Sequence, residues 1–213
     1  MAHIQSGLAE TLSLAPVVPV MVIEKREHAV PLARALCAGG LKVLEITLRT
    51  DIALDCIRDI AEAVPEAVVG AGTVMDLGQM RAVKDAGGRF AVSPGASAAL
   101  LDAAQKTGLA WLPGAVTASE IMELTEAGLS HLKFFPAVPA GGSSYLASLG
   151  SVFPKVKFCP TGGISKANAA EFLKLSNVIC VGGSWVCPGN LLNNADWSAI
   201  EALAQDAFSL KLS

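Results

Sequence analysis

The feature that most limits the fold is a unit that recurs along the chain. Each unit is a short apolar run rich in Val, Ile and Leu, followed by a stretch in which apolar residues have helical spacing. Eight of these runs begin 20 to 26 residues apart, about the length that a compact strand–helix unit needs. They are the predicted strands 17–23, 43–48, 67–74, 90–94, 110–113, 131–136, 157–161 and 177–181.

Eight strand–helix units in succession predict an α/β protein that forms a single (β/α)₈ TIM barrel. An open doubly wound sheet is the alternative, but no Gly-x-Gly-x-x-Gly sequence follows the first predicted strand. An extra N-terminal helix, over about residues 3–13 of a segment 1–15, is predicted to cover the barrel floor. Because no linker or low-complexity stretch interrupts the chain, residues 1–213 are interpreted as one domain.

Polar residues mark the starts of four predicted helices. Plausible N-cap residues are Asp51, Ser97, Thr117 and Ser165. Thr117 and Glu120 also have the spacing of a capping box.

Composition excludes several classes of partner. The formal net charge of −3 gives no electrostatic case for nucleic acid or an anionic membrane. The longest apolar run, 15–23, has nine residues with two prolines and is too short to span a bilayer. No signal peptide is recognisable, and five cysteines without a Cys-x-x-Cys pair indicate buried thiols in a reducing compartment. A cytoplasmic location is therefore expected.

Two charged residues are predicted to point into the barrel. In a (β/α)₈ barrel the site lies at the carboxyl ends of the strands. Alternation along the second strand places Glu45 inward, and alternation along the sixth places Lys133 and Phe135 inward. One interpretation is a structural ion pair, although desolvation can cancel the Coulomb gain of a buried pair. The other is a catalytic lysine, because apolar surroundings favour the neutral amine that attacks a carbonyl carbon. Glu45 would then transfer protons.

Paired glycines predict an anion site. Gly162-Gly163 and Gly182-Gly183 follow the seventh and eighth predicted strands, whose loops commonly bind phosphate in this fold. They could instead form tight turns, but two pairs at corresponding positions favour phosphate, with the Ser184 hydroxyl as a further donor. Arg49 and Thr73, at neighbouring strand ends, are candidates for holding a carboxylate.

These segments resemble one known family. The motifs that carry the resemblance are Pro-Val-Val-Pro-Val (16–20), Leu-Glu-Ile-Thr-Leu-Arg-Thr (44–50), Val-Gly-Ala-Gly-Thr-Val (69–74), Val-Ser-Pro-Gly (92–95), Lys-Phe-Phe-Pro-Ala (133–137) and Pro-Thr-Gly-Gly-Ile (160–164). In this order they resemble the 2-keto-3-deoxy-6-phosphogluconate (KDPG) aldolases. The resemblance implies a class I aldolase that cleaves KDPG to pyruvate and glyceraldehyde 3-phosphate in the Entner–Doudoroff pathway. It also implies action on 4-hydroxy-2-oxoglutarate.

The resemblance assigns roles to residues of this chain. By analogy, Lys133 forms the imine, and Glu45 is the general acid/base acting through water. Arg49 and Thr73 match the contacts of the pyruvate carboxylate. The remaining matches are Phe135 and Pro94 in the pocket wall, Thr161 beside the sugar-acid chain, and Gly162, Gly163, Gly183 and Ser184 at the phosphate. The partners implied are small molecules, a 2-keto acid and a phosphorylated aldehyde, and the family also implies a homotrimer.

The end of the first strand and the histidines bear on phosphate binding and metal binding. Some relatives carry an arginine near the end of the first strand, whereas Met21-Val22-Ile23 has none here, so phosphate binding would rest on the glycine loops. No cofactor and no metal are expected, because His3, His28 and His131 are scattered rather than clustered. The rival functions are a phosphate-binding barrel with another activity, such as a sugar-phosphate epimerase, and a non-catalytic sugar-phosphate sensor.

Overall fold

A computed structural model describes residues 4–210 of the chain. Within that range nine strands and ten α-helices alternate for most of the sequence. The strands are β1 (Val17–Met21), β2 (Val43–Thr47), β3 (Val68–Gly72), β4 (Phe90–Val92), β5 (Ala110–Leu112), β6 (Gly114–Ala115), β7 (His131–Phe134), β8 (Lys157–Pro160) and β9 (Val181–Gly183). The helices are α1 (Leu8–Leu12), α2 (Ala29–Ala38), α3 (Ala53–Ala63), α4 (Leu77–Asp85), α5 (Ala98–Thr107), α6 (Ala118–Glu126), α7 (Gly142–Val152), α8 (Ala169–Leu173), α9 (Gly189–Asn193) and α10 (Trp197–Phe208).

The strands form two parallel sheets. The larger sheet has the order β5-β4-β3-β2-β1-β9, and the smaller has the order β6-β7-β8. Parallel neighbours require a crossover between consecutive strands, which the intervening helices provide. The carboxyl ends of the strands in each sheet therefore lie together, with the loops that follow them.

The prediction of a closed eight-stranded barrel is wrong. The fifth predicted strand, 110–113, ends at Leu112 as β5, and β6, which follows Pro113, belongs to the other sheet. Proline has no amide N–H, so Pro113 cannot donate to the ladder there. At the outer edge of the smaller sheet, no continuous ladder joins β8 to β9 within residues 4–210. Two isolated bridges, Phe158 to Val178 and Thr161 to Gly182, connect these two parts of the chain. The eighth strand was predicted at 177–181, but the observed strand, β9, begins only at Val181.

Two apolar cores lie on opposite faces of the sheets. The larger core is between the strands and the helices and includes Leu44 and Ile46 of β2 and Leu132 and Phe134 of β7. The smaller core is enclosed by the inner faces of the strands. Its buried members are Leu8, Leu12, Val18, Val43, Phe90, Val92, Leu112, Cys159 and Cys180. Strand residues thus alternate between the two cores, as the period of two requires.

Helix α1 contributes to the inner core from the amino ends of the strands. Leu8 and Leu12 are both buried there. Just before the helix, the Gln5 side chain donates to the carbonyl of His131 (2.6 Å) and accepts from the amides of Ser130 (2.9 Å) and His131. These bonds fix the N-terminal segment to the start of β7. The first part of the predicted helix, with His3, lies outside the described residues.

Two of the four predicted caps are confirmed. Ser97 accepts from the amide of Leu100 (3.2 Å), and Thr117 forms both bonds of a capping box with Glu120. Asp51 and Ser165 are not N-caps, because α3 and α8 begin two and four residues after them, at Ala53 and Ala169. No helix within residues 4–210 is long and apolar enough to cross a membrane.

Candidate active site

Lys133 and Glu45 meet inside the molecule. Lys133 on β7 is 6% exposed and Glu45 on β2 is 3% exposed, and Nζ lies 3.2 Å from Oε1. They are the only charged residues buried within the described part of the chain. The predicted inward direction of both side chains is confirmed, since their strand neighbours lie in the helix-facing core. The two residues come from different sheets, so the pair forms where the inner faces of the sheets oppose each other.

One glycine of β3, Gly72, makes room for the Glu45 carboxylate. Strand β3 pairs with β2 so that Glu45 is opposite Gly70 and Thr47 is opposite Gly72. A Cβ on Gly72 would collide with Glu45 Oε1 and lie 2.9 Å from its Cδ. Glycine inside a strand weakens it and commonly marks such a close approach. Gly72, the last residue of Val-Val-Gly-Ala-Gly, was therefore a sequence signal for this site, and sequence reasoning did not use it.

The surroundings of Lys133 are largely apolar. Its Nζ lies 5.3 Å from the centroid of the half-buried Phe135 ring. In register, Lys133 is opposite Gly114 of β6 and Cys159 of β8. An ammonium group has three donors. Within residues 4–210, Glu45 supplies its one hydrogen-bond acceptor.

Thr161 directly follows β8, two residues after Cys159, which is opposite Lys133 in the strand pairing. It is buried, and its hydroxyl lies 3.4 Å from the Cys159 carbonyl and 3.9 Å from the Cys159 Sγ. A Cβ on Gly182 would collide with Thr161 Oγ1. Gly182 thus has the same relation to Thr161 as Gly72 has to Glu45.

The predicted carboxylate site is at the ends of β2 and β3. Arg49 is exposed two residues beyond β2, and the part of the chain that the structure describes supplies no acidic partner for its guanidinium. Thr73 directly follows β3 with φ of 61°, a conformation that is rare for a β-branched residue. Pro94 is exposed after β4, and its carbonyl lies against Gly114.

The two glycine pairs differ in structure. Gly162 and Gly163 form a loop after β8 with φ of 99° and 79°. A Cβ at Gly163 would lie 2.7 Å from Val138 Cβ, so both space and backbone conformation require glycine. Gly182 and Gly183, by contrast, are the last two residues of β9 and pair with Val18 and Pro19 of β1. The expectation of two corresponding glycine loops is therefore wrong for the second pair, which leaves Ser184 as the exposed residue at that strand end.

His28 and His131, the histidines among residues 4–210, interact with groups other than Lys133 and Glu45. His131 begins β7 at the amino end of the strands, and burial lowers its pKa, a shift to which nearby Lys157 adds. His28 ends the short 3-10 turn before α2, where its ring meets Trp197 edge-on. No group of three or more His, Cys, Asp or Glu side chains comes together as a metal site among residues 4–210.

The sequence profile of the KDPG and KHG aldolases matches residues 8–203. The chain belongs to this aldolase family. It is 50% identical to the 2-dehydro-3-deoxy-phosphogluconate aldolase of Pseudoalteromonas atlantica over 198 residues, which cover 93% of this chain and 92% of that protein.

Solved structures of the family agree with this fold. The KDPG aldolase of Legionella pneumophila, with pyruvate captured at low pH as a covalent carbinolamine intermediate, is 46% identical with a TM-score of 0.92. The match covers 94% of this chain and 97% of that one. The KDPG aldolase of Zymomonas mobilis with 3-phosphoglycerate is 46% identical with a TM-score of 0.90, covering 96% of each chain. The family resemblance of the sequence motifs is thereby confirmed.

Proposed function

We propose that this member of the family is a class I aldolase that cleaves KDPG to pyruvate and glyceraldehyde 3-phosphate. The observation that carries the proposal is the buried Lys133–Glu45 pair. A purely structural pair would gain little, because taking both charges out of water costs about as much as their attraction returns. The lysine also has a single acceptor, where a buried ammonium group needs several. A nucleophilic amine beside one proton acceptor accounts for both facts.

The reaction follows from these two side chains. The neutral Lys133 amine attacks C2 of the keto acid and forms a carbinolamine. A proton delivered to the carbinolamine hydroxyl lets it leave as water, which gives the protonated imine. A base removes the proton of the C4 hydroxyl, the C3–C4 bond breaks, and its electrons move to the imine while the aldehyde leaves. The resulting enamine takes a proton at C3, and water hydrolyses the imine to release pyruvate and the free amine. Glu45, at 3.2 Å from Nζ, is placed to move these protons, directly or through water.

The other site residues are proposed to hold the two ends of the substrate. Arg49 and Thr73 would bind the carboxylate, and Thr161 would contact the hydroxyl-bearing chain. The pocket wall would be Phe135 and Pro94, and the phosphate end would be Gly162, Gly163, Gly183 and Ser184. The Legionella relative holds pyruvate as a covalent carbinolamine and the Zymomonas relative is bound to 3-phosphoglycerate, which supports a site that takes a keto acid and a phosphorylated compound.

Further parts of the proposal come from the family alone. We propose that 4-hydroxy-2-oxoglutarate is also cleaved, because the same imine serves any 2-keto acid with a hydroxyl at C4. A homotrimer, a cytoplasmic location and a place in the Entner–Doudoroff pathway are proposed with it. Neither rival function is favoured, since an epimerase needs no imine and a sensor needs neither Glu45 nor Lys133.

The experiment is a coupled assay of pyruvate release from KDPG with Glu45→Gln as the decisive variant. Glutamine keeps the size of the side chain but cannot accept the proton. We expect kcat to fall about 10²- to 10⁴-fold, the usual contribution of a general acid/base. Glu66→Gln, an exposed change outside the site, is the matched control. Wild-type protein that epimerises a sugar phosphate without releasing pyruvate would contradict the proposal.

A further inference from the structure

A cleft opens between the ends of β1 and β9, beside the proposed phosphate end of the site. Its volume is about 280 Å³, and Ser184 is one of its lining residues. Four further polar residues that line it, Glu24, Lys25, His28 and Asn193, have no role in the site as described above. Lys25 is exposed and has no acidic partner within residues 4–210.

The inner wall of the cleft is at the depth of the reacting groups. Val20 and Val22 line the cleft and alternate along the chain with Met21 and Ile23, which lie in the helix-facing core. Val20 is directly opposite Glu45 in the pairing of β1 with β2. The cleft therefore runs from the level of Glu45 outward to Lys25.

One cation and one anion line the outer end of the cleft. Lys25 carries the positive charge, and the His28 ring, held edge-on against Trp197 at 5.3 Å, adds a polar edge. Glu24 also lines the cleft and opposes an anion. The end of β1 has Met21, Val22 and Ile23 and so lacks another cation, which makes Lys25 the cation available at this strand end.

We propose that Lys25 is a specificity residue, whose ammonium group pairs with the phosphate of the substrate in this cleft. The inference rests on the proposed aldolase function and extends it. When the keto group of the substrate is at Lys133, the substrate extends past Thr161, and its phosphate lies between Ser184 and Lys25. A substrate without phosphate leaves the Lys25 end of the cleft to water. Phosphate selectivity thus depends on a side chain of the β1 loop as well as on the glycines after β8.

The test compares KDPG with 2-keto-3-deoxygluconate, its unphosphorylated analogue. The measured quantity is the ratio of kcat/KM for KDPG to kcat/KM for the analogue. Lys25→Met should lower this ratio about tenfold, the usual value of one charge-assisted contact at a partly exposed site. Glu24→Gln should raise the ratio about two- to threefold, because it removes the opposing charge. Lys25→Arg keeps the charge and should restore most of the ratio.

The controls separate this inference from the proposed function. Lys155→Met removes an exposed lysine before β8 and should leave the ratio unchanged. A Lys25→Met ratio within about twofold of wild type, or an equal fall for both substrates, would overturn the role of Lys25. Wild-type protein that does not distinguish the two substrates would overturn it as well and leave the aldolase function intact. Wild-type protein inactive on both would instead refute the aldolase function itself.

Discussion

Replacement of Gly72 by alanine tests whether the position of Glu45 matters for catalysis. The added Cβ would collide with Glu45 Oε1 and would lie 2.9 Å from both Cγ and Cδ. Non-bonded carbons approach to about 3.5–4 Å, so the carboxylate must withdraw by about 1 Å. A displacement of about 1 Å at a reacting group commonly costs about 10²-fold in rate. We therefore expect kcat to fall about 100-fold, equivalent to about 2.7 kcal/mol in the activation free energy.

The assay is steady-state cleavage of KDPG, together with urea unfolding of the same samples. Gly78→Ala is the matched control, because Gly78 lies in α4 and its added Cβ has one neighbour within 4 Å, Asp76 Oδ1 at 3.2 Å. Alanine in a helix is favoured over glycine by up to about 1 kcal/mol, so the control should be at least as stable as wild type. Its kcat should not change.

One result would refute the reasoning about Gly72. If Gly72→Ala folds with the unfolding midpoint of wild type and keeps kcat within about threefold, a carboxylate moved by about 1 Å still functions. Glu45 could not then be the group that transfers protons from its observed position. Loss of activity with loss of folding is distinguished by the urea measurement.

The remaining predictions concern strain, capping and thiols. Thr73→Gly should raise the free energy of unfolding by about 1 kcal/mol, because φ of 61° is costly for threonine, and should lower kcat/KM through loss of the hydroxyl. Ala195→Gly, with φ of 52°, should give the stability gain without the loss of activity. Thr117→Ala should cost about 1 kcal/mol in urea unfolding, because it removes the capping box of α6. Burial raises the pKa of Cys187 to about 12, and all five cysteines are buried, so native protein at pH 8 should react with a thiol reagent far more slowly than unfolded protein.

Sequence reasoning succeeded where a local pattern determines the result. The period of two along a strand was enough to orient Glu45 and Lys133, because Leu44 and Ile46 or Leu132 and Phe134 had to face the helices. The positions of β1 to β5, β7 and β8 followed from the spacing of apolar runs, whereas β6 did not.

The pattern failed where the outcome depends on pairing between distant segments. The run 110–113 is apolar to its end, but β5 ends before Pro113, and the two residues after this proline form β6 in the other sheet. Asn177 was predicted to lie in the eighth strand, but it precedes β9. Its side-chain amide donates to the carbonyl of Leu146 in α7 (2.9 Å). Neither arrangement is visible in the spacing of apolar residues. The cleft that contains Lys25 was also not foreseen, because two loops far apart in sequence form it.

Reductive trapping tests the central claim, that Lys133 forms an imine with the keto acid. Wild-type protein is incubated with pyruvate and sodium borohydride, and the modified peptide is mapped by mass spectrometry. A covalent label is predicted on Lys133, with none in Lys133→Ala and with loss of activity in proportion to labelling. Active wild-type protein that acquires no label, or a label mapped to another lysine, would contradict the imine mechanism.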